Sequence, residues 1–245
     1  MTRLLFVASL LVLGTACFQS KAQLTLTAQG SGHWEQTVLV EPVTSSMLAL
    51  RAKDDPAFKE TLSPAKIDQE KLAAEGLTGV AAEMTDGDRW KMHAAADFAR
   101  PESLSWLLTR NDADADPIDL REVGPNEYVL TLALDSDDEK KEDDGPGPMD
   151  KMPEKKKQKL LGELFLEIGK LELVQAIDVP GEILEVTPAS GQISGHTATW
   201  TLGAKDVMGG IGEALEAPAE PPPPRNHFTV RFRTEAPLPP EALSG

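Results

Sequence analysis

Two stretches of alternating apolar and polar residues, each folded about a glycine-containing turn, constrain the architecture of this chain most. The first spans residues 21–41 and turns at residues 29–32, Gln-Gly-Ser-Gly; the second spans residues 79–98 and turns at Asp86 and Gly87. Alternation with a period of two gives each strand one apolar face, and Asp-Gly between such arms is a strong short-range hairpin signal. Residues 120–134 repeat the pattern about a Gly-Pro-Asn turn. The chain is therefore predicted to contain antiparallel β-hairpins.

Helical patterns separate these hairpins, because apolar residues there recur three or four positions apart and Ser, Pro or Gly stands at the ends. The predicted helices cover residues 45–53, 63–76, 101–109, 159–170 and 204–217. Further strands are predicted at residues 171–186, interrupted by Val179-Pro180-Gly181, and at residues 192–202 and 226–234. Hairpins with helices between them favour the α+β class, with an antiparallel sheet packed against a few helices.

The amino terminus has the features of an export signal. Arg3 precedes an apolar run at residues 4–13, and small residues follow before Cys17. The run is about half as long as the ~20 residues that a membrane-crossing helix needs. We therefore interpret residues 1–16 as a signal peptide.

Cys17, the only cysteine of the chain, stands directly after this run. Thr15-Ala16-Cys17 resembles the lipobox of bacterial lipoprotein signal peptides, although Gly14 stands where that pattern prefers Leu. The resemblance implies lipidation of Cys17 and attachment to a membrane of the cell envelope, inner or outer, on its extracytoplasmic side. The alternative is ordinary signal-peptidase cleavage, with Cys17 as an incidental thiol. In either case no disulfide can form within the chain, so packing alone must stabilise it.

The charge balance limits the partners. The chain has 24 Lys and Arg against 40 Asp and Glu, a formal net charge of −16, and removal of the signal with Arg3 makes it one unit more negative. Such a surface repels nucleic acid, so nucleic-acid binding is not expected.

The composition changes sharply at residues 135–159, where acids crowd the first half and lysines the second. We predict a solvated, flexible insertion; the alternative is an interaction segment whose basic half contacts anionic lipid. The predicted organisation is a signal peptide (1–16), a lipidated tether (17–22), the first part of an α+β domain (23–134), the charged insertion (135–159), the second part of the domain (160–234) and a Pro-rich tail (235–245).

Several blocks resemble LppM-like bacterial lipoproteins, in the same order along the chain. They are the lipidation cysteine, the two glycine hairpins, and residues 95–108, 124–134 and 177–202, the last ending in Thr-Ala-Thr-Trp-Thr-Leu. The resemblance implies an antiparallel sheet packed on helices outside the cytoplasmic membrane, and a role in holding envelope lipid or glycolipid. It brings no catalytic residue. The charged insertion and the lack of a carboxy-terminal membrane helix depart from the pattern.

The sequence predicts no catalytic, cofactor or metal site. The four histidines lie far apart, without the spacing that places two imidazoles on one helix face. Asp112, Asp114 and Asp116 alternate like calcium ligands, but Pro117 and Val123 replace the Gly and the closing Glu of such a loop, which favours a solvated acidic turn. We expect a protein that is not an enzyme.

Four tryptophans, Trp34, Trp90, Trp106 and Trp200, lie beside apolar residues in predicted strands or a helix. Each either completes the core, which is the usual outcome, or lines an apolar ligand groove. Two functions remain open: a tethered binding module for an envelope lipid or glycolipid, and an envelope assembly protein that binds other proteins without a pocket.

Overall fold

A computed structural model of the chain describes residues 18–54, 69–85, 89–108, 118–133, 153–206 and 227–243. Strands β1 to β11 are, in chain order, Phe18–Leu26, Gly32–Val40, Leu77–Thr85, Trp90–Phe98, Ile118–Gly124, Glu127–Ala133, Glu172–Asp178, Glu182–Thr187, Gln192–Ser194, Thr197–Gly203 and His227–Arg233. Helices α1 to α4 are Pro42–Asp54, Gln69–Ala74, Pro101–Leu108 and Glu154–Ile168, and a short 3₁₀ turn covers Pro240–Ala242.

Seven strands form the large sheet, in the order β3-β4-β2-β1-β7-β10-β9. The predicted hairpins β1–β2 and β3–β4 supply four of them, and β2 pairs antiparallel with β4. The pairing of β1 with β7 is parallel, whereas the other pairs are antiparallel. The first strand of the domain therefore lies near the middle of the large sheet.

Strands β5, β6, β11 and β8 form a small antiparallel sheet, in the order β5-β6-β11-β8. Its buried side chains join those of the large sheet in one hydrophobic core. The rings of Trp200 in β10 and Phe228 in β11 meet at a centroid separation of 5.1 Å, so the contact links the two sheets. Hairpins combined with helices confirm the predicted α+β class, but with two sheets and one parallel pair.

The helices pack around these sheets. Helix α1 contacts α4, α2 contacts β3, and α3 contacts β4 and β5. Leu72 of α2 and Leu104 of α3 are fully buried, which fixes their helices to the core. No helix in the described ranges is long and apolar enough to cross a membrane.

The amino-terminal boundary differs from the sequence prediction. Residues 18–22, which we assigned to a tether, belong to β1, and Phe18, Ser20 and Ala22 are buried on its inner side. The alternation of buried and less buried residues thus begins directly after Cys17. Cys17 itself lies outside the described residues.

The other boundaries also shift. Helix α4 begins at Glu154, inside the predicted insertion, because its lysines are good helix formers that lead into an apolar face. The Pro-rich tail is packed: Leu238 is buried and its N–H donates to the Tyr128 hydroxyl at 2.8 Å. Residues 192–202, expected as one strand, form the hairpin β9–β10, which turns at Gly195 with φ +60°. Residues 135–152, 109–117 and most of 204–217 fall outside the described ranges.

Candidate functional site

The inner face of the large sheet, meaning the face whose side chains are buried, is interrupted across its centre by small and polar residues. Ala22 of β1 pairs with Gln36 of β2 on one side and Gln175 of β7 on the other. Gln36 pairs in turn with Ala94 of β4, and Gln175 with Trp200 of β10. We call these five side chains the central row. Neighbouring strands lie about 4.8 Å apart, so the two amides flank Ala22 at a separation of about 10 Å.

Both amides are buried, since Gln36 is 7% and Gln175 4% exposed. Gln36 Nε2 donates to the Ser20 hydroxyl at 2.9 Å, and Gln175 Nε2 donates to the carbonyl of Ala176 at 3.1 Å. A primary amide offers two N–H donors and a carbonyl with two lone pairs, and each of these bonds engages one N–H. Burying an amide costs free energy unless it is hydrogen-bonded. Two such groups at the centre of an apolar face are a candidate for ligand recognition.

The rows on either side of the central row are more apolar. On one side Leu24 pairs with Trp34 and Ile177, and on the other Val38 pairs with Met92 and with Ser20. Within the central row, Ala22 and Ala94 flank Gln36, whereas Ala22 and Trp200 flank Gln175. Ligand sites for apolar molecules combine apolar walls with a few fixed polar groups, and the central row has this composition.

The structure places three of the predicted tryptophans on this inner face but does not bring them together. Trp34, Trp90 and Trp200 are all buried. Trp200 belongs to the central row and its Nε1–H donates to the carbonyl of Pro188 at 2.8 Å. Trp34 lies in the Leu24 row, whereas Trp90 pairs with Val40 at one end of the sheet.

Trp106 lies on α3, and its side chain is outside what the structure describes. The sequence prediction did not include Gln36 or Gln175. The signal for Gln36 was present, because it occupies an apolar-face position of an alternating strand. A polar residue at such a position is either hydrogen-bonded in the core or functional.

A second polar cluster lies at the end of the large sheet where Phe18 pairs with Val40, which we call the Phe18 end. Glu41 follows β2 and its side chain is fully buried. Its Oε2 accepts hydrogen bonds from Lys170 at 3.0 Å and Arg89 at 3.2 Å. Its Oε1 is buried without a hydrogen-bond partner among the described residues. The cluster ties β2, β4 and the end of α4 together.

Glu167, in the last turn of α4, completes the polar contacts at the Phe18 end. Its carboxylate accepts hydrogen bonds from the N–H groups of Val43 at 2.8 Å and Thr44 at 3.2 Å, at the start of α1. The first N–H groups of a helix have no partner within the helix, and a negative charge there is favourable. Glu167 therefore caps α1 from a different helix.

A third polar cluster lies on the small sheet, and unlike the cluster at the Phe18 end it consists of exposed ion pairs. The carboxylate of Glu127 in β6 accepts hydrogen bonds from Arg231, at 2.8 Å, and from Arg233, both in β11. The hydrogen bond from Arg233, and to a smaller extent the one from Arg231, holds the pKa of Glu127 below its ordinary value. The bond to Glu127 in turn raises the pKa of Arg233. The geometry is that of a cross-strand pair, which stabilises the β6–β11 register.

Within the described residues, no three His, Cys, Asp or Glu side chains cluster as metal ligands would. The histidines have separate partners instead. His33 Nδ1 lies 2.7 Å from Asp97 Oδ1, His93 Nδ1 lies 3.2 Å from the Thr37 hydroxyl, and His196 Nδ1 lies 2.6 Å from the carbonyl of Gly181. Asp112, Asp114 and Asp116 fall outside the described ranges.

Comparison with known proteins gives one structural similarity. No protein-family model matches the chain, and no curated protein does. The chain is similar to the folded domain of the Mycobacterium tuberculosis protein LppM, solved by NMR, with 12% sequence identity and a TM-score of 0.41. The similarity covers 93% of this chain and 94% of that domain.

Proposed function

We propose that this chain is a lipid-anchored protein of the bacterial cell envelope, and that it binds an envelope lipid or glycolipid on the inner face of its large sheet without catalysing a reaction. The central row is the observation that carries the binding proposal. Ala22 and Ala94 are small side chains, and the amides of Gln36 and Gln175 would offer hydrogen bonds to the polar end of an acyl chain.

The proposed anchor is lipid on Cys17, which would hold the chain on the extracytoplasmic side of a membrane. The lipobox-like position of this cysteine supports the proposal, as does the short apolar run that precedes it. Because β1 begins at Phe18, lipid on Cys17 would join the domain with almost no linker. The domain would then stand directly at the membrane surface, where lipid is available to it.

Cavity filling tests the binding proposal. Ala94 and Ala95 are neighbours in β4 and face opposite sides of the sheet, so Ala94→Leu and Ala95→Leu form a matched pair. The mature chain carrying Cys17→Ser should take up a fluorescent fatty acid saturably. Ala94→Leu should lower this uptake at least several-fold, because its side chain occupies the ligand's place, while Ala95→Leu leaves uptake unchanged.

Thermal unfolding of the same variants separates a ligand site from a filled core. Where side chains already fill the space, an extra isobutyl group costs about 1–3 kcal/mol through overpacking. A large loss of stability in Ala94→Leu, with no uptake by the parent protein and no lipid found by mass spectrometry after gentle extraction from membranes, would refute lipid binding. The remaining function would be attachment of other envelope proteins.

A further inference from the structure

Helix α4 presents apolar side chains to solvent. Phe165 is 70% exposed, Leu166 74% and Leu161 42%, although Leu164 and Glu167 of the same helix are buried. Leu161 and Phe165 are one turn apart on the helix. On the helix surface Gly162 lies between this pair and Leu166, and a Cβ on Gly162 would meet nothing within 4 Å. Single exposed apolar residues are ordinary, whereas a contiguous group on one helix marks an interaction surface. We call Leu161, Phe165 and Leu166 the apolar patch.

Lysines extend the apolar patch along the same side of the helix. Lys155 and Lys159 precede Leu166 by eleven and seven positions, a spacing that places all three on one stripe of a helix. Both lysines are exposed, and Lys159 pairs only loosely with Glu163, at 3.6 Å on the solvent side. The stripe is therefore basic in its first half and apolar in its second, in a chain whose net charge is −16.

The apolar patch lies at the Phe18 end of the large sheet. Glu167, adjacent to Leu166, binds the N–H of Val43, and Val43 follows Val40, the partner of Phe18, by three residues. Strand β7 starts soon after α4 and pairs its Glu172 with Gln19. The end of α4 thus lies close to Phe18, where β1 begins.

We propose that the exposed side of α4 is a membrane-contacting surface, which inserts the apolar patch among the headgroups of an anionic bilayer beside the lipid on Cys17. The inference rests on the proposed lipid anchor for its orientation. Helices of this composition lie in the interface with their apolar side chains buried and their lysines among anionic phosphates. Lysine stems reach past apolar neighbours and keep their charge in water, so the two halves of the stripe cooperate.

Charge favours this occupant over a protein partner. The acidic remainder of the chain is repelled by an anionic surface, so a basic stripe beside the anchor determines which side faces the membrane. Contact through α4 would also orient the inner face of the large sheet, because Glu167 and Lys170 hold the end of α4 to α1 and β2.

Vesicle binding without the acyl anchor tests the proposal. The mature chain carrying Cys17→Ser should bind vesicles of equal parts phosphatidylglycerol and phosphatidylcholine, and should bind pure phosphatidylcholine several-fold less. The double variant Phe165→Ser/Leu166→Ser should weaken binding about ten-fold, because it removes the buried apolar surface. Lys155→Gln and Lys159→Gln should each weaken binding about five-fold. Added salt should make the difference in binding between the parent and each lysine variant smaller.

Ile193→Ser is the matched control, because Ile193 is an exposed apolar residue, 50% accessible, on β9 rather than α4. It should bind vesicles like the parent protein. The melting temperature of every variant should be unchanged, since each replaced side chain is exposed, and this excludes misfolding as the cause of lost binding.

Equal vesicle binding by the parent and the Phe165→Ser/Leu166→Ser variant would overturn the proposal. So would self-association that the double variant abolishes without any vesicle binding, which would assign the apolar patch to a second copy of the chain. Labelling of Cys17 with a fatty-acid analogue is independent of the vesicle assay, in which no acyl group is present. Failure of the anchor and failure of the α4 surface are therefore distinguished.

Discussion

Glu167 Oε1 accepts a hydrogen bond from the N–H of Val43 at 2.8 Å, and this bond joins the last turn of α4 to the first turn of α1. The two residues are far apart in sequence, and both helices lead into or out of strands that meet at the Phe18 end of the large sheet. A single carboxylate thus fixes the position of two helices.

Glu167→Ala should destabilise the domain by about 2 kcal/mol, because it leaves helix N–H groups without their charged acceptor. Glu163→Ala, one turn earlier on the exposed side of α4, should change stability by less than about 0.5 kcal/mol. Urea unfolding of the two variants measures the difference. Equal effects would mean that Glu167 does not act as a cap.

Arg89 and Lys170 share one carboxylate oxygen of the buried Glu41. Removing either cation leaves the other, so Arg89→Gln and Lys170→Gln should each cost about 1 kcal/mol. The double variant leaves a buried charge uncompensated, and its cost should rise to about 3–5 kcal/mol. A double-mutant cycle measures the non-additivity. Additive costs would show that Glu41 does not depend on both partners.

Acid should weaken the β6–β11 pair through Glu127. Since Arg233 and Arg231 hold the pKa of Glu127 below its ordinary value of 4.5, the carboxylate favours the folded state. Its contribution is fully present above that ordinary value and is lost as the pH falls through the lowered pKa. The difference in melting temperature between the parent and Glu127→Gln should therefore shrink on acidification, and also in high salt. A difference independent of pH would contradict this account.

Two glycines should respond oppositely to alanine. Gly162→Ala should stabilise α4 by about 0.5–1 kcal/mol, because the site is open and alanine is the better helix former. Gly32→Ala should destabilise the domain by more than about 2 kcal/mol, because its Cβ would lie 2.0 Å from the carbonyl oxygen of Thr25 and 2.4 Å from the Phe98 ring. Thermal unfolding of the two variants measures whether each substitution stabilises or destabilises the domain.

If lipid on Cys17 anchors the chain as proposed, Cys17→Ser should abolish incorporation of a fatty-acid analogue and release the protein from the membrane. One acyl chain binds membranes only marginally, at about 0.8 kcal/mol per buried methylene, and diacylglyceryl modification supplies more than one. Labelling of growing cells, followed by fractionation, is the measurement. An unlabelled parent protein, or a labelled Cys17→Ser protein, would refute the anchor.

Local patterns predicted much of the fold. The alternation about residues 29–32 and Asp86-Gly87 predicted the hairpins β1–β2 and β3–β4, because a period of two and a tight turn are properties of adjacent residues. The pairing of β1 with β7 could not be predicted in this way, since the two strands are remote in sequence and nothing local selects their register.

The break at Val179-Pro180-Gly181 shows the same limit. The interruption of the strand was predicted, but not that β7 would join the large sheet and β8 the small one. Packing at this point requires a glycine. A Cβ on Gly181 would stand 2.1 Å from the carbonyl oxygen of Arg233, so the absence of a side chain lets the backbone approach β11 closely. Of the candidate site, the tryptophans were predicted from their apolar neighbours along the chain, whereas the row that contains Gln36 and Gln175 depends on non-local register.

The parallel pair β1–β7 also has a consequence for the order in which the sheet can form. Gln19, among the first residues of the domain, pairs with Glu172, more than half the chain later. Contacts so distant along a chain close slowly, because loop entropy must be lost before they form. In the proposed export of the chain the amino terminus would emerge first, so one edge of β1 would stay unpaired until β7 emerges. We therefore expect the large sheet to be completed late in folding, and a truncation before β7 to leave an open, aggregation-prone edge.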